Sequence, residues 1–485
     1  MKTYNKKEKC GIFGVFAPPG RQVAKTIYEG LLSLQHRGQE SAGIAIFDGK
    51  AIIVHKGMGL VSEVFTKRVL ANLIGFRGIG HVRYSTTGYS KKKETQPYYM
   101  HLTGINFAVA FNGNISNSGR LKEELEEKGH FFETDTDTEL IAKYITTFML
   151  ENGRDLVEAI QKLMYFLDGG YSILILTEKG HILAFRDPYG YRPLVFGKQQ
   201  DESIVFASET VALDTTGTQY IDTVNPGEVI WVTNVGCERL QLIETTRHAH
   251  CQFEYVYFSR PDSEMEGVSV YEVRKKLGRK LAELYPVEAD VVIPVPDSGR
   301  TAASGYSESS GIPLSEGLIK NRYVHRTFIM PRQREREKAI RLKMNPIPHV
   351  VSGKRIVLVD DSIVRGTSMK HIVSLLRKAG AKEVHVRISC PPIISPCYCG
   401  IDFQRREELI RGKTSLEETR KIIGADSLEY MTIDGLVEAI GLGENELCLS
   451  CLTGEYLLKE TPTTLGRISE KEVKLQATLQ KTKSF

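Results

Sequence analysis

No apolar run in this 485-residue chain approaches the roughly 20 residues a bilayer-crossing helix requires, which argues against a membrane-spanning helix. Met1 to Lys9 are rich in lysine but lack the apolar stretch of a secretory signal. Internal repeats and low-complexity tracts are also missing. An excess of one charge is nearly absent: 64 Lys and Arg against 59 Asp and Glu leave +5, too little over this length to argue for nucleic acid. The basic residues are better assigned to anionic groups of a substrate. Eight cysteines without a signal do not make a secreted disulfide framework. They predict a reducing, cytoplasmic setting in which thiols serve metal binding or catalysis. What remains is the profile of a soluble enzyme of two or three domains, with 41% apolar and 25% charged residues.

The densest chemistry lies in Ile356-Val357-Leu358-Val359-Asp360-Asp361-Ser362-Ile363-Val364-Arg365-Gly366-Thr367-Ser368. Four aliphatic residues read as a strand buried on both faces, as in parallel sheets. Two carboxylates follow where the strand ends, and ligands of open α/β sheets bind beyond such ends. A Gly-Thr-Ser turn then opens a helical pattern from Met369 to Ala379, offering backbone N–H groups and hydroxyls to a phosphate. The acidic pair suits a sugar's hydroxyls or Mg²⁺. Asp290–Val295 is a second buried strand, leading into Pro296-Asp297-Ser298-Gly299-Arg300, another anion-friendly turn with Ser298 as a possible Mg²⁺ ligand. Two such turns on one sheet suit a substrate phosphorylated at both ends. Lys320–Thr327, which includes Arg322, reads as a basic loop able to close over a diphosphate and exclude water.

The N-terminal half carries a different set. Cys10 opens an apolar alternating strand after nine polar residues. Removal of Met1–Lys9 would make it the N-terminus, where an α-amine with an ordinary pKa of about 7.7–8 can act as base for the thiol. Arg37 lies in Leu34–Ile44 and Arg83 in Gly80–Gly88. Asn112-Gly113 follows a strand over Ile105–Phe111, and its amide and backbone N–H could hold an oxyanion. Asp137 lies in an N-cap stretch of a helix running to about Leu150. Taken singly, each has a structural reading: packing for Cys10, a hairpin turn for Asn112-Gly113, a cap for Asp137. Cys448-Leu449-Ser450-Cys451, with Cys251 and a cysteine from the Cys390–Cys399 group, could supply four thiolates to a zinc ion or an iron–sulfur cluster. Spacing does not choose between these metals. Cys251–Ser263 alternates like a strand ending in a turn.

The string Ile356–Ser368 resembles the 5-phosphoribosyl pyrophosphate (PRPP) signature of the type I phosphoribosyltransferases. The resemblance implies that Asp360 and Asp361 bind the ribose hydroxyls, that Arg365, Gly366, Thr367 and Ser368 surround the 5-phosphate, and that Lys320 and Arg322 belong to the closing loop. Family members usually carry a glycine where His325 stands. Residues 10–240 resemble the class II, N-terminal-nucleophile glutamine amidotransferases. That likeness implies Cys10 as nucleophile, Asn112 and Gly113 as oxyanion hole, Arg83 on the glutamine α-carboxylate and Asp137 on its α-amine. Arg37 and Tyr84 match positions that couple this site to the second. Thr87 replaces a histidine of the sugar-isomerising branch, which argues against that branch.

Together the halves resemble the iron–sulfur branch of the glutamine PRPP amidotransferases. This implies a [4Fe–4S] cluster on Cys251, Cys397, Cys448 and Cys451, with Cys390 and Cys399 as competing neighbours of Cys397. It further implies Mg²⁺, a cleaved propeptide, a homotetramer, ammonia passed between two sites, and feedback inhibition by purine nucleotides. The expected fold is an αββα sandwich of the N-terminal-nucleophile type followed by an α/β type I phosphoribosyltransferase domain with a parallel sheet. The expected units are a propeptide over 1–9, a glutaminase over 10–240, a phosphoribosyltransferase over 251–460 and a polar tail over 461–485. The expected reaction converts glutamine, PRPP and water to 5-phosphoribosylamine, glutamate and diphosphate, the first step of purine synthesis. A non-catalytic PRPP or nucleotide sensor, or an amidotransferase with another acceptor such as a hexose phosphate, are the competing readings. The intact Cys10, Asn112-Gly113 and acidic pair argue against the first, and the PRPP string against the second.

Overall fold

A computed structural model describes residues 8–85, 92–102, 104–245, 247–321, 344–403 and 405–459. The first half builds two antiparallel sheets. One has seven strands, centred on β1 (Glu8–Phe16) and β2 (Arg77–Ser85), which pair along their whole length. The other has six and includes β3 (Ile105–Ile115) and β4 (Gly169–Thr177). Alternation along the strands sorts their side chains to two faces. Ile12, Ile79, Ala108, Ala110 and Leu174 meet between the sheets. Phe13, Val15 and Val82 face outward against Ile27 and Leu31 of the helix Ala24–Ser33. Phe107, Val109 and Phe111 face outward against Leu140, Ile141 and Ile145 of α1 (Asp137–Glu151). The result is the expected αββα sandwich.

The second half contains four parallel strands in the order β5 (Val291–Pro294), β6 (Arg355–Asp360), β7 (Glu383–Ile388) and β8 (Ser427–Tyr430). Val292, Ile293, Ile356, Val357, Leu358, Val359, Val384 and Val386 form its buried spine. The helix Val270–Leu284, α2 (Arg300–Ser310) and α3 (Thr367–Lys378) pack around it.

Three local expectations are corrected. Cys251–Ser263 is not a strand: only His250–Cys251 is extended, and Glu254–Phe258 forms a π-helical turn. Burial here does not alternate: Gln252 to Val256 are all buried, with Glu254 held by arginines from the first half. Asn112-Gly113 is not a turn, because β3 continues through Ile115 in unbroken register with β4. Asp137 is not the cap of α1: the Thr136 side chain accepts from the Glu139 N–H, and Asp137 begins the first turn. Thr87, Arg322, His325 and the tail beyond 459 lie outside the described residues.

Candidate active sites and a cysteine-lined cavity

Cys10 is two residues before Ile12 on β1, so its side chain enters the same gap between the sheets. It is fully buried. Arg83, its register partner on β2, lies on the same inner face and is also buried. Its Nη1 donates to the Glu94 carbonyl oxygen at 3.1 Å. Asn112, two residues beyond Ala110, reaches this gap from the opposite sheet. The Asn112 amide is 0% exposed, and among the described residues neither its nitrogen nor its oxygen has a hydrogen-bond partner. Such a group costs about 1–3 kcal/mol when left unsatisfied. Gly113 has no room for a side chain: a Cβ there would stand 2.2 Å from the Gly170 carbonyl oxygen. Asp137 Oδ2 accepts from the Ile115 N–H at 2.9 Å, fixing the carboxylate beside the end of β3.

His81, missed in the sequence, lies between Ile79 and Arg83 on the inner face and its Nε2 bonds the Phe111 carbonyl at 3.1 Å. Burial, and then the charge of Arg83, lower its pKa to about 3, so it is neutral and acts as a fixed donor. Only its place in a strand two residues before Arg83 could have signalled this.

In the second half the two anion turns come together. Val295 N–H donates to the Val359 carbonyl at 2.9 Å, and a Cβ on Gly299 would lie 2.5 Å from the same oxygen. The turns therefore leave adjacent parallel strands side by side. Asp360 is half-buried at the end of β6, and Asp361 is buried next to it. Burial and then the Asp361 carboxylate push the Asp360 carboxyl well above the usual range. A pair so placed favours a cation or hydroxyl donors. Gly366 adopts φ 76° as the N-cap of α3, with no side chain capping that end. Thr367 and Ser368 are exposed. Lys320 Nζ bonds Asp297 Oδ2 at 2.8 Å, and Arg365 pairs with Glu408. Ser298 is half-buried in the turn before α2.

Cys251, Cys397, Cys399, Cys448 and Cys451 line one cavity together with Tyr191, Phe253, Tyr398 and Tyr456. Cys390 does not line it. Cys251 and Cys448 are register partners in a short parallel pair. Hydrogen bonds already involve the sulfurs, among them Ile401 N–H to Cys397 Sγ at 3.3 Å, Gln252 Nε2 to Cys451 Sγ at 3.5 Å, and Cys448 Sγ with Ser450 Oγ at 3.7 Å. Burial pushes the Cys448 thiol up to about 11 and the Cys251 and Cys451 thiols higher. Among the described residues no three His, Cys, Asp or Glu side chains converge closely enough to grip a single ion.

A buried ion network joins the halves. Arg37 Nη2 donates to Glu254 Oε2 at 2.6 Å and to Ser259 Oγ at 3.1 Å, and its Nε to Glu209. Arg192 Nη1 donates to Glu254 Oε1 at 2.9 Å. Burial pulls the Arg37 guanidinium toward neutrality, but Glu254 and Glu209 outweigh it and hold its pKa above normal. Arg37 also abuts β1: a Cβ on Gly11 would lie 3.3 Å from Arg37 Cδ. Glu209, Glu254 and Arg192 carried no signal in the sequence, since isolated charged residues at these spacings are ordinary surface.

Residues 81–215 match the glutamine amidotransferase domain family, and residues 268–393 the phosphoribosyl transferase domain family. The chain is 49% identical to an amidophosphoribosyltransferase of Methanocaldococcus jannaschii over 462 residues, covering 92% of this chain and 97% of that one. It is 46% identical to the Bacillus subtilis enzyme of that name over 456 residues, 93% and 94% of the two chains. The solved structure of glutamine PRPP amidotransferase from B. subtilis complexed with ADP and GMP superposes with a TM-score of 0.87 at 44% identity, covering 94% of this chain and all of that one. With both halves of its architecture and nearly its whole length matched, the chain belongs to the amidophosphoribosyltransferase family.

Proposed function

We propose that this chain converts glutamine, PRPP and water to 5-phosphoribosylamine, glutamate and diphosphate, using a glutaminase over 10–240 and a phosphoribosyltransferase over 251–460. The observation that carries the reading is the unpartnered Asn112 amide, buried in the gap that Cys10 enters from the facing sheet. Residues 8 and 9 continue β1, so Cys10 gains a free α-amine only once the Lys9–Cys10 bond is cut. That amine then takes the thiol proton, and sulfur attacks the side-chain carbonyl of glutamine. Asn112 Nδ2 and the Gly113 N–H hold the oxyanion, while Arg83 and Asp137 hold the substrate's α-carboxylate and α-amine. Ammonia leaves, and water releases glutamate from the thioester. Held near the second centre, ammonia meets PRPP at high effective concentration. There Asp360 and Asp361 orient the ribose, the Arg365–Ser368 turn takes the 5-phosphate, and the Ser298 turn with Lys320 and Arg322 takes the diphosphate. Asp360, Asp361 and Ser298 would hold Mg²⁺ with PRPP, and the ion would neutralise charge on the departing diphosphate.

The cysteine cavity fits a [4Fe–4S] cluster on Cys251, Cys397, Cys448 and Cys451. What supports this reading is that all four cysteines line one cavity and that a backbone N–H already faces the Cys397 sulfur, a feature that tunes such clusters. A homotetramer, nucleotide inhibition and a cytoplasmic location complete the reading; among the described residues no helix is long and apolar enough to cross a membrane.

The test is N-terminal sequencing, iron content and visible absorption of anaerobically purified protein, with assays of glutamate release and of ammonia-dependent phosphoribosylamine formation. A chain starting at Cys10, iron-bound and coloured, whose Cys10→Ala variant releases no glutamate yet uses ammonia, is expected. Glutamate release that survives Cys10→Ala would overturn the glutaminase assignment, and a colourless, iron-free protein the cluster.

A further inference from the structure

Successive residues at the end of β3 are committed to different tasks. Asn112 reaches the gap that Cys10 enters, and Ile115 N–H holds Asp137. Asn114, between them, shares the inner face of Asn112 but does not serve glutamine: its Nδ2 donates to the Tyr398 carbonyl oxygen at 2.6 Å. Asn114 is 1% exposed, so this bond has no competing water. Tyr398 stands between Cys397 and Cys399, and all three line the cysteine cavity. A second contact fixes the same junction from β4. Gly170 is the register partner of Asn114, and a Cβ there would lie 3.0 Å from the Cys399 carbonyl oxygen and 2.6 Å from Tyr191 Cβ. The strand bearing the oxyanion donors is therefore pressed onto, and hydrogen-bonded to, the loop bearing the cavity's cysteines.

We propose that Asn114 is a positioning residue that couples the oxyanion strand to the cysteine loop 397–401. Order in the loop keeps Asn112 and Gly113 in place, and loss of order in the loop withdraws them. The inference rests on the assignments of Cys10 and of the cavity given above. Coupling free energy between two sites is reciprocal, so what steadies the glutaminase centre should also steady the cavity.

The experiment alkylates Cys10 to completion, checked by intact mass, with a diazoketone analogue of glutamine, which loses N₂ on reaction. The air-induced bleaching of the visible band is then followed in labelled and unlabelled protein, for the parent and for Asn114→Asp, which keeps the shape but loses the N–H donor. In the parent, the label should slow bleaching about fivefold or more, the lower end of ordinary coupling. In Asn114→Asp the labelled and unlabelled rates should coincide. Equal protection in Asn114→Asp overturns the role of Asn114, and a coloured, labelled parent with no protection overturns the coupling while leaving the two assignments standing. A colourless parent, or one that takes no label, overturns the assignments and the inference with them. Should Asn114→Asp fail to fold, amide hydrogen exchange in the parent decides: the Ile401 and Phe403 amides, which donate within this loop, should exchange more slowly after labelling. Unchanged exchange there overturns the proposal.

Discussion

Replacing Glu254 by Gln removes one of two carboxylates from a cluster that also holds two guanidinium groups. Arg37, Arg192, Glu209 and Glu254 are all 0–1% exposed. Two cations thus face two anions in a region closed to water, with Arg37 at 2.6 Å and Arg192 at 2.9 Å from Glu254. Neutralising Glu254 leaves a net positive charge in that region, and an amide there must offer its own N–H groups to donors. Breaking a buried pair from one side costs about 3–5 kcal/mol. The contact ties Glu254 and Ser259 to the first half, so the loss should appear as local opening between the halves. Hydrogen exchange of the peptide spanning Glu254 to Ser263 reads this directly, because the Arg260 N–H in it donates to Glu209 at 2.9 Å. Its exchange should accelerate by roughly two to three and a half orders of magnitude, at about 1.4 kcal/mol per decade. The charge-balanced variant Arg37→Met, Glu254→Gln should open less than the sum of its single variants. A Glu254→Gln protein opening by under about 1 kcal/mol, the scale of an exposed pair, would refute the reasoning.

Three further outcomes are expected. Asn112→Ala should lower kcat for glutamate release by about 10²–10³-fold with KM near the parent value, as for loss of one oxyanion donor; a loss confined to KM would contradict the role. Gly366→Ala places a side chain at φ 76°, a conformation costing roughly 1–2 kcal/mol, so PRPP affinity measured by calorimetry should fall about tenfold. His81 has a folded pKa near 3 against about 6.5 unfolded. Below pH 6.5 the unfolded chain takes up a proton that the folded one refuses, so this contribution to stability is complete above 6.5 and lost as pH falls toward 3. The slope is about 1.4 kcal/mol per pH unit, and His81→Gln should flatten it in denaturant titrations run from pH 7 to pH 4.

Much of the molecule was legible in its sequence because local patterns carry it. A continuous aliphatic run followed by Asp360-Asp361 and a glycine-bearing turn specifies a buried parallel strand and the ligand end beyond it, with no need of distant residues. Alternation around Cys10 and Ile105–Phe111 likewise predicted strands, and β1 and β3 are where they should be. Where alternation misled, at Cys251–Ser263, the segment forms a π-helical turn buried almost continuously, its Tyr255 and Val256 in the second half's core and Glu254 against arginines of the first.

By itself the sequence determined which segments become strands, which turns can cradle anions and which thiols are available, since these depend on side-chain period and backbone freedom. Tertiary structure alone decided that Cys10, Arg83 and Asn112 share one gap, that Cys399 lines the cavity while Cys390 does not, and that Arg37, Glu254 and Asn114 bind the halves together. The partners in those contacts lie up to 284 positions apart in the chain. The cost of burying a charge or an amide is set by whatever the fold brings beside it, and no local pattern of residues encodes that.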